Sequence, residues 1–272
     1  SKSIFMIEKD DQRFLWEPFS DNYPGIYEIE RNLYKNSIGN KVVFEEINHD
    51  LKMCFRYSWR NSDRFGFVKK SHLQNLDEQS VSVELLDGIQ NLVPYGVSQR
   101  FQNEYSTLSD AYKKAELFTE TGLAMFTLSS IPVDKAEPSE SLMATVAWSN
   151  GLIVKKYLLS SRQLDEFRMG KGIVEETDVR ANRGAYFIGA TIDLSPNLTK
   201  DWIIVAEVYQ DTAAVINLNS WLEEKNGHLA AVEADIETGS NNYWKYSLQR
   251  MGSSIRTIPK FARVTFPMCC LM

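Results

Sequence analysis

The chain has 272 residues, of which 43% are hydrophobic, 12% aromatic and 24% charged. This is the composition of an ordinary globular protein with a sizeable core, so disordered, collagen-like and purely coiled-coil chains are excluded. Thirty basic residues against thirty-six acidic residues give a net charge of −6. That balance argues against nucleic acid as a partner, because non-specific binding to phosphates needs an excess of Lys and Arg.

The first elements expected along the chain are antiparallel strands. Apolar and polar side chains alternate over residues 51–59, with Phe55 on one side of the run and Arg56 on the other. Period-two alternation is typical of a strand with one buried face. Further alternating runs over 65–71 and 81–85 follow after short polar links, and consecutive strands with short links indicate an antiparallel meander.

The later strands extend this pattern to about residue 210. Asn150-Gly151 lies between apolar runs over 142–148 and 153–159 and predicts a two-residue hairpin, because both central residues must accept a positive φ. Two more strands are expected over 186–194 and 202–208, the second apolar on both faces, as in an interior strand.

Fewer helices are expected, and most follow the last strand. One helix is predicted over 103–117. A second begins after Asp211, which can cap it, and two more are expected over 228–236 and 243–251, separated by a Thr-Gly-Ser turn. The fold class is therefore mainly β, with two stacked antiparallel layers over residues 1–210 and a helical segment over 211–272.

Known catalytic motifs are absent from the sequence. It contains no phosphate-binding loop, dinucleotide glycine fingerprint, zinc motif or serine-hydrolase elbow, so we expect no cofactor and no metal. The three cysteines, Cys54, Cys269 and Cys270, predict no disulfide framework. No apolar run approaches the roughly 18 residues of a membrane span. We also expect the chain, which begins Ser-Lys-Ser, to be a piece of a longer protein.

Aromatic residues beside polar ones are the strongest indication of a ligand. Pyranose rings pack their apolar faces on aromatic rings while Asp, Asn, Gln and Arg hydrogen-bond the hydroxyls. One aromatic segment, 16–27, lacks clean periodicity, and it either faces a sugar or closes one end of the β core. Two strand ends carry similar residues. The candidate substrate-binding residues are Trp16, Tyr23, Trp59, Arg60, Asp87 and Gln90.

Three stretches carry a resemblance to a known family. Residues 55–68, 84–96 and 183–196 resemble the N-terminal β domain of large bacterial proteins related to cellobiose and chitobiose phosphorylases and cyclic β-1,2-glucan synthases. The resemblance implies a β-supersandwich of the galactose mutarotase type, then linker helices over 211–272, then a helical (α/α) barrel beyond this chain. It places the catalytic residues on that barrel and implies the bacterial cytoplasm or periplasm, with the cytoplasm preferred.

Three functions stay open from the sequence. The first is a non-catalytic carbohydrate-associated domain of a glycoside hydrolase or phosphorylase acting on β-linked oligosaccharides, with the missing catalytic domain as its partner. The second is an aldose 1-epimerase-like enzyme, in which His72 acts with Asp87 or Glu137. The third is a structural module that forms a homodimer.

Overall fold

The computed structural model describes residues 1–9, 12–22, 24–36, 39–130, 142–224, 226–251 and 261–264, with backbone alone for 246–251 and 261–264. Its strands form two antiparallel sheets, with few helices, which confirms the mainly β fold class. The chain divides into two compact units. Unit 1 comprises Ser1–Glu17, Val81–Asp193 and Ile204–His228, and unit 2 comprises Pro18–Ser80, Leu194–Ile203 and Leu229–Met272. The division of domains at residue 210 stays a prediction.

The elements follow in chain order. The strands are β1 (Lys2–Lys9), β2 (Gln12–Trp16), β3 (Ile29–Asn36), β4 (Lys41–Asn48), β5 (Met53–Ser62), β6 (Gly66–Asn75), β7 (Val81–Leu92), β8 (Lys113–Phe118), β9 (Leu123–Leu128), β10 (Met143–Asn150), β11 (Lys156–Leu158), β12 (Asp178–Arg180), β13 (Gly184–Leu194), β14 (Thr199–Asp211) and β15 (Phe261–Val264). The helices are α1 (Gln99–Glu104), α2 (Ser106–Ala111), α3 (Leu164–Arg168), α4 (Thr212–Glu223) and α5 (His228–Met251).

Unit 1 is built around a five-stranded sheet in the order β11-β13-β7-β1-β2. Strand β1 pairs antiparallel with β7 and with the edge strand β2, with Phe5 opposite Leu85 of β7 and Trp16 of β2. One face packs against α3 and the segment that follows it. The buried cluster there consists of Ile4, Met6, Leu86, Leu158, Leu164, Phe167, Ile173, Ala185 and Phe187. Removal of these apolar side chains from water is the main stabilising contribution to this layer.

A second set of strands in unit 1 has the order β12-β8-β9-β10. Strand β13 comes very close to it at Gly184, where an added Cβ would lie 2.7 Å from both the carbonyl oxygen of Leu92 and a ring carbon of Phe126. The buried Tyr186 donates its hydroxyl to the carbonyl oxygen of Gly122 at 2.7 Å. The position of Gly184 therefore requires a residue without a side chain.

Unit 2 contains the strand order β6-β5-β4-β3-β15. On one face of β5, Phe55 and Tyr57 lie among aromatic neighbours, with Tyr57 stacked on Phe44 at 4.9 Å and Phe55 6.2 Å from Trp202. Arg56 and its alternate neighbours lie on the other face. The predicted half-buried strand over 51–59 is thus present in the structure, as β5.

The expected Asn-Gly hairpin is wrong. Gly151 has a φ of +104°, so the chain does turn there. However, β10 pairs with β9, whereas β11 pairs with β13 of the five-stranded sheet. The residues after Gly151 therefore lead the chain from one sheet to the other, and Ile153 on this path is 90% exposed. A turn-forming pair determines the local bend but not the strand that is paired next.

The helix prediction is correct at Asp211 and only partly correct elsewhere. Asp211 caps α4 by accepting a hydrogen bond from the backbone N–H of Ala214 at 2.8 Å. The predicted helix over 103–117 is instead two short helices, α1 and α2, followed by β8. The two helices expected after residue 228 are one continuous helix, α5, since Gly239 stays helical beside the carboxylate of Asp63.

No helix among the described residues is both long enough and apolar enough to cross a membrane.

We expect Phe55→Ala or Trp148→Ala to lower the free energy of unfolding by about 3–5 kcal/mol, because each leaves a large cavity in a packed core. Phe55 is 0% exposed and Trp148 is 1% exposed. Chemical denaturation measures the loss. The matched control is Phe67→Ala. Phe67 is 54% exposed, so its substitution should change the free energy of unfolding little. Equal stability of the Phe55 and Phe67 variants would contradict the assignment of the buried face.

Candidate functional sites

Two of the candidate residues belong to the core. Trp16 is 2% exposed and its ring lies 5.5 Å from that of Phe5. Asp87 is fully buried and accepts a hydrogen bond from the hydroxyl of Ser3 at 2.5 Å. Both side chains are thus buried, and their role in substrate binding stays a prediction.

The other candidates are distributed over the two units. Gln90, in unit 1, is half-buried and donates a hydrogen bond to the hydroxyl of Ser161 at 3.0 Å. Trp59 and Arg60, in unit 2, are half-buried on opposite faces of β5. Tyr23 lies outside the described residues. Of the five candidates that the structure describes, three lie in unit 1 and two in unit 2, and the substrate-binding role of all six stays a prediction.

Arg60 lines a groove on one face of unit 2, which we call the basic groove. It has a volume of about 320 Å³, within the range of roughly 300–1,000 Å³ usual for small-molecule sites. Strand register places Lys41 opposite Arg60 and places Arg56 opposite His72. The lining residues are Lys41, Val43, Arg56, Tyr57, Ser58, Arg60, Lys70 and His72.

Helix α5 supplies an acidic residue to this groove. Glu233 accepts a hydrogen bond from Arg60 Nη1 at 3.0 Å and from Lys70 Nζ at 2.6 Å. Burial alone would raise the pKa of Glu233, but these hydrogen bonds and the charges of Lys70 and Arg60 lower it below its ordinary value. On the neighbouring strands, Arg56 pairs with Glu45. The sheet and α5 are thus joined through half-buried ion pairs.

His72 pairs with a carboxylate that the sequence did not indicate. Its Nδ1 hydrogen-bonds to Asp201 of β14. Burial lowers the pKa of His72 and the neighbouring cations lower it further, against the opposing effect of Asp201. The expected partner Asp87 is buried against Ser3 instead, and Glu137 lies outside the described residues. The contact with Asp201 is invisible in the sequence because 129 positions separate the two residues.

A second candidate site lies in unit 1, and we call it the tyrosine surface. Tyr95 and Tyr209 meet edge to face, with ring centroids 5.0 Å apart and an interplanar angle of 67°. They are 43% and 59% exposed. Tyr209 has a φ of +63°, a conformation unusual for a residue with a side chain and one that is enriched at functional sites.

A polar pocket of about 250 Å³ adjoins this part of unit 1, since Val93, two residues before Tyr95, is in its wall. Asp110 accepts a hydrogen bond from Lys113 Nζ at 2.7 Å and from Arg183 Nε at 3.3 Å, and so orients both cations. The polar lining residues are Asn91, Gln102, Asn103, Lys113 and Arg183. Amide and guanidinium groups therefore surround a space close to exposed aromatic rings.

Sequence reasoning missed the tyrosine surface. Tyr95 and Asn91 both lie in the stretch 84–96, and Arg183 begins the stretch 183–196, the second and third of the stretches on which the family resemblance rests. The signal available was Pro94-Tyr95-Gly96, a turn that projects an aromatic residue, with Gly96 at a φ of +89°.

Other reactive groups give no site among the described residues. Burial raises the pKa of the Cys54 thiol to about 11, so it is protonated at neutral pH and a poor nucleophile. In the described part of the chain, no group of three or more His, Cys, Asp and Glu side chains is arranged to hold a metal ion.

Comparisons with known proteins give no family for this chain: no family model matches, and no curated protein matches. Solved structures similar to it include a polysaccharide lyase (12% identity, TM-score 0.43, 78% of this chain), a bacterial glucoamylase complexed with acarbose (10%, 0.48, 90%) and a provisionally assigned kojibiose phosphorylase from the human microbiome (8%, 0.40, 87%). This chain spans between 26% and 31% of their lengths. These neighbours are carbohydrate-active proteins, but at such TM-scores the likeness carries no argument about function.

We expect acid to weaken the contact between α5 and the basic groove. Because the pKa of Glu233 is lower in the folded state than its ordinary value of 4.5, its stabilising contribution is present above that value and is lost as the pH falls through the folded-state pKa. Thermal unfolding between pH 7 and pH 3 should therefore show a smaller acid-induced loss for Glu233→Gln than for the unaltered protein.

The matched control for this prediction is Glu224→Gln, an exposed glutamate at the end of α4. Its acid profile should follow that of the unaltered protein. Superimposable profiles for all three proteins would contradict the role given to Glu233.

Proposed function

We propose that this chain is a non-catalytic, carbohydrate-binding β domain of a larger protein that acts on β-linked oligosaccharides. The observation that supports the proposal most directly is the tyrosine surface: two exposed tyrosine rings inclined at 67° to each other, with a polar pocket whose wall includes the nearby Val93. Its ligand is an oligosaccharide, and bond cleavage or phosphorolysis belongs to a further domain of the same chain, as the sequence resemblance implies.

The chemistry of the tyrosine surface matches that of a sugar chain. A pyranose ring has C–H groups on its faces and hydroxyls around its rim, so it needs an aromatic plane and hydrogen-bonding groups at its edge. Tyr95 and Tyr209 supply two planes at a large angle, which suits a chain whose successive rings change orientation. The side-chain amides of Asn91 and Asn103 supply donors and acceptors together, as hydroxyls require.

The local structure also favours preorganised binding. Tyrosine has few rotatable bonds, so immobilising its ring costs little conformational entropy. The side chain of Lys113 is 4% exposed and pairs with Asp110. The same carboxylate pairs with Arg183 and so orients this guanidinium at the rim of the pocket. The site therefore needs little rearrangement before it contacts a ligand.

We expect Tyr95→Ala and Tyr209→Ala each to weaken binding of a β-linked glucooligosaccharide by about tenfold or more, equivalent to about 1.4 kcal/mol. The loss follows from removal of the stacking plane. Isothermal titration calorimetry on the 272-residue chain measures it.

The matched control is Tyr243→Ala on α5, since this tyrosine is 54% exposed and lies in unit 2. Its affinity should equal that of the unaltered protein. Undiminished affinity of both tyrosine-surface variants would contradict the proposal, and heat-silent titrations accompanied by a dimer in light scattering would favour the structural module.

An assay of mutarotation separates the proposal from an epimerase-like enzyme. We expect the chain to leave the interconversion of glucose anomers at its uncatalysed rate, and His72→Ala to leave that rate unchanged. Polarimetry of freshly dissolved α-glucose measures it. An accelerated rate that falls in the His72 variant would instead support proton transfer by His72 and Asp201, which are in contact.

A further inference from the structure

The basic groove has an unusual lining. All its charged lining residues are basic. They are Lys41 on β4, Arg56 and Arg60 on β5, and Lys70 on β6, and His72 follows Lys70 two residues later on the same strand. They share one face because residues opposite each other and residues two apart point to the same side of an antiparallel sheet. The groove lining is therefore rich in cationic hydrogen-bond donors.

Nearby carboxylates do not cancel this charge. Glu45 pairs with Arg56, Asp201 pairs with His72 and lies 3.8 Å from Lys70, and Glu233 is shared between Arg60 and Lys70. Among the residues that the structure describes, four cations of the groove thus face these three carboxylates.

Neighbouring cations affect the pKa of two groups in the groove. Burial lowers the pKa of Lys41, and the charges of Arg60 and Lys70 lower it further, while Glu233 opposes this effect. The charges of Arg56, Lys70 and Lys41 likewise lower the pKa of His72. Cations of the groove therefore act on two groups on different strands, although burial is the larger cause for each.

One donor in the groove also lacks an acceptor. Among the described residues, Arg60 Nε is buried and has no hydrogen-bond partner, although Nη1 of the same guanidinium binds Glu233. An unsatisfied buried N–H costs free energy comparable to a lost hydrogen bond. An anion in the groove would supply the acceptor, and a guanidinium binds carboxylate or phosphate through two N–H groups at once.

We propose that the basic groove binds the anionic group of an acidic sugar, either a sugar phosphate or a uronate, with Arg60, Lys70 and Lys41 as its ligating residues. Phosphate and carboxylate share the chemistry that the groove recognises, namely oxygen acceptors with negative charge. That the anion is attached to a sugar rests on the proposed function, whereas the anion site itself is independent of it.

Four probes test this assignment at low ionic strength: inorganic phosphate, glucose 1-phosphate, glucuronate and glucose, each titrated by calorimetry into the 272-residue chain. We expect at least one of the two acidic sugars to bind about tenfold or more tightly than glucose, and its affinity to fall as salt is added. Preference for glucose 1-phosphate identifies a phosphate, and preference for glucuronate identifies a uronate. Equal affinity for glucose and both acidic sugars would overturn the proposal.

Variants locate the bound anion. Arg60→Gln should weaken binding of the anion by about tenfold. Because Arg60 also holds Glu233, Lys41→Gln is the second variant, with an expected loss of about fivefold. The control is Arg100→Gln, whose side chain is 79% exposed beside Glu104 in unit 1. Affinity unchanged in both groove variants would show that the anion binds elsewhere and would overturn the proposal.

The proton signals of His72 give a readout independent of affinity. His72 is faced by Lys41, Arg56, Lys70 and Asp201, and Glu233 of α5 contacts Lys70. A bound anion offsets the cations, so the pKa of His72 measured by NMR should rise when phosphate is added. A pKa of His72 that does not move at saturating phosphate would overturn the proposal.

Failures of the two proposals are distinguishable. Neutral oligosaccharide bound through Tyr95 and Tyr209, without any anion in the groove, would leave the proposed function and remove the groove assignment. Phosphate bound at Arg60, without neutral oligosaccharide at the tyrosine surface, would do the reverse.

Discussion

The alternation of side chains along β5 is the constraint on which unit 2 depends. A strand turns successive residues to opposite faces, so Phe55 and Tyr57 enter an aromatic cluster while Arg56 and Arg60 enter the basic groove. A register shift of one residue would exchange the two sets and bury the guanidinium groups among aromatic rings. The packing of the core and the chemistry of the groove are therefore two consequences of one register.

Two buried carboxylates of this fold are each held by several partners. Glu46 is 1% exposed and accepts hydrogen bonds from Arg31 Nε at 2.8 Å and from the backbone N–H of Phe19 at 2.7 Å. In unit 1, Glu17 is bound by Arg168 and Lys2. Desolvated carboxylates require such compensation. Against this background, Arg60 Nε stands out because its buried donor has no acceptor among the described residues.

The tyrosine surface differs from the basic groove in its exposure and in its backbone conformation. Its two rings are exposed, and the φ of Tyr209 is positive, so part of the local backbone conformation is unfavourable. Such a residue persists when the surrounding structure holds it in place, and here Tyr209 lies in the long strand β14. The tyrosine surface thus offers aromatic planes beside a pocket lined by amides and by Lys113 and Arg183, whereas the charged lining residues of the basic groove are all basic.

Local pattern in the sequence determined the strand-rich class, the face of β5 that is buried and the cap at Asp211. These depend on side-chain period and on hydrogen bonds three residues apart, which are readable in a single stretch. Strand β1 was missed because its apolar run Ile4–Ile7 is buried on both faces and shows no alternation. Gly239 suggested a helix end, although packing of α5 against the sheet maintains the helix through it.

Only the tertiary structure decided which residues form a site. Arg60 was a candidate by composition, but its partner Glu233 lies 173 positions away, and the pairing of His72 with Asp201 spans 129 positions. Tyr95 and Tyr209 meet across a similar distance in sequence. The sequence by itself therefore determined the layers and their buried faces, because these are local periodicities. The groove and the tyrosine surface depended on strand order and helix docking, which bring together residues with no local relation.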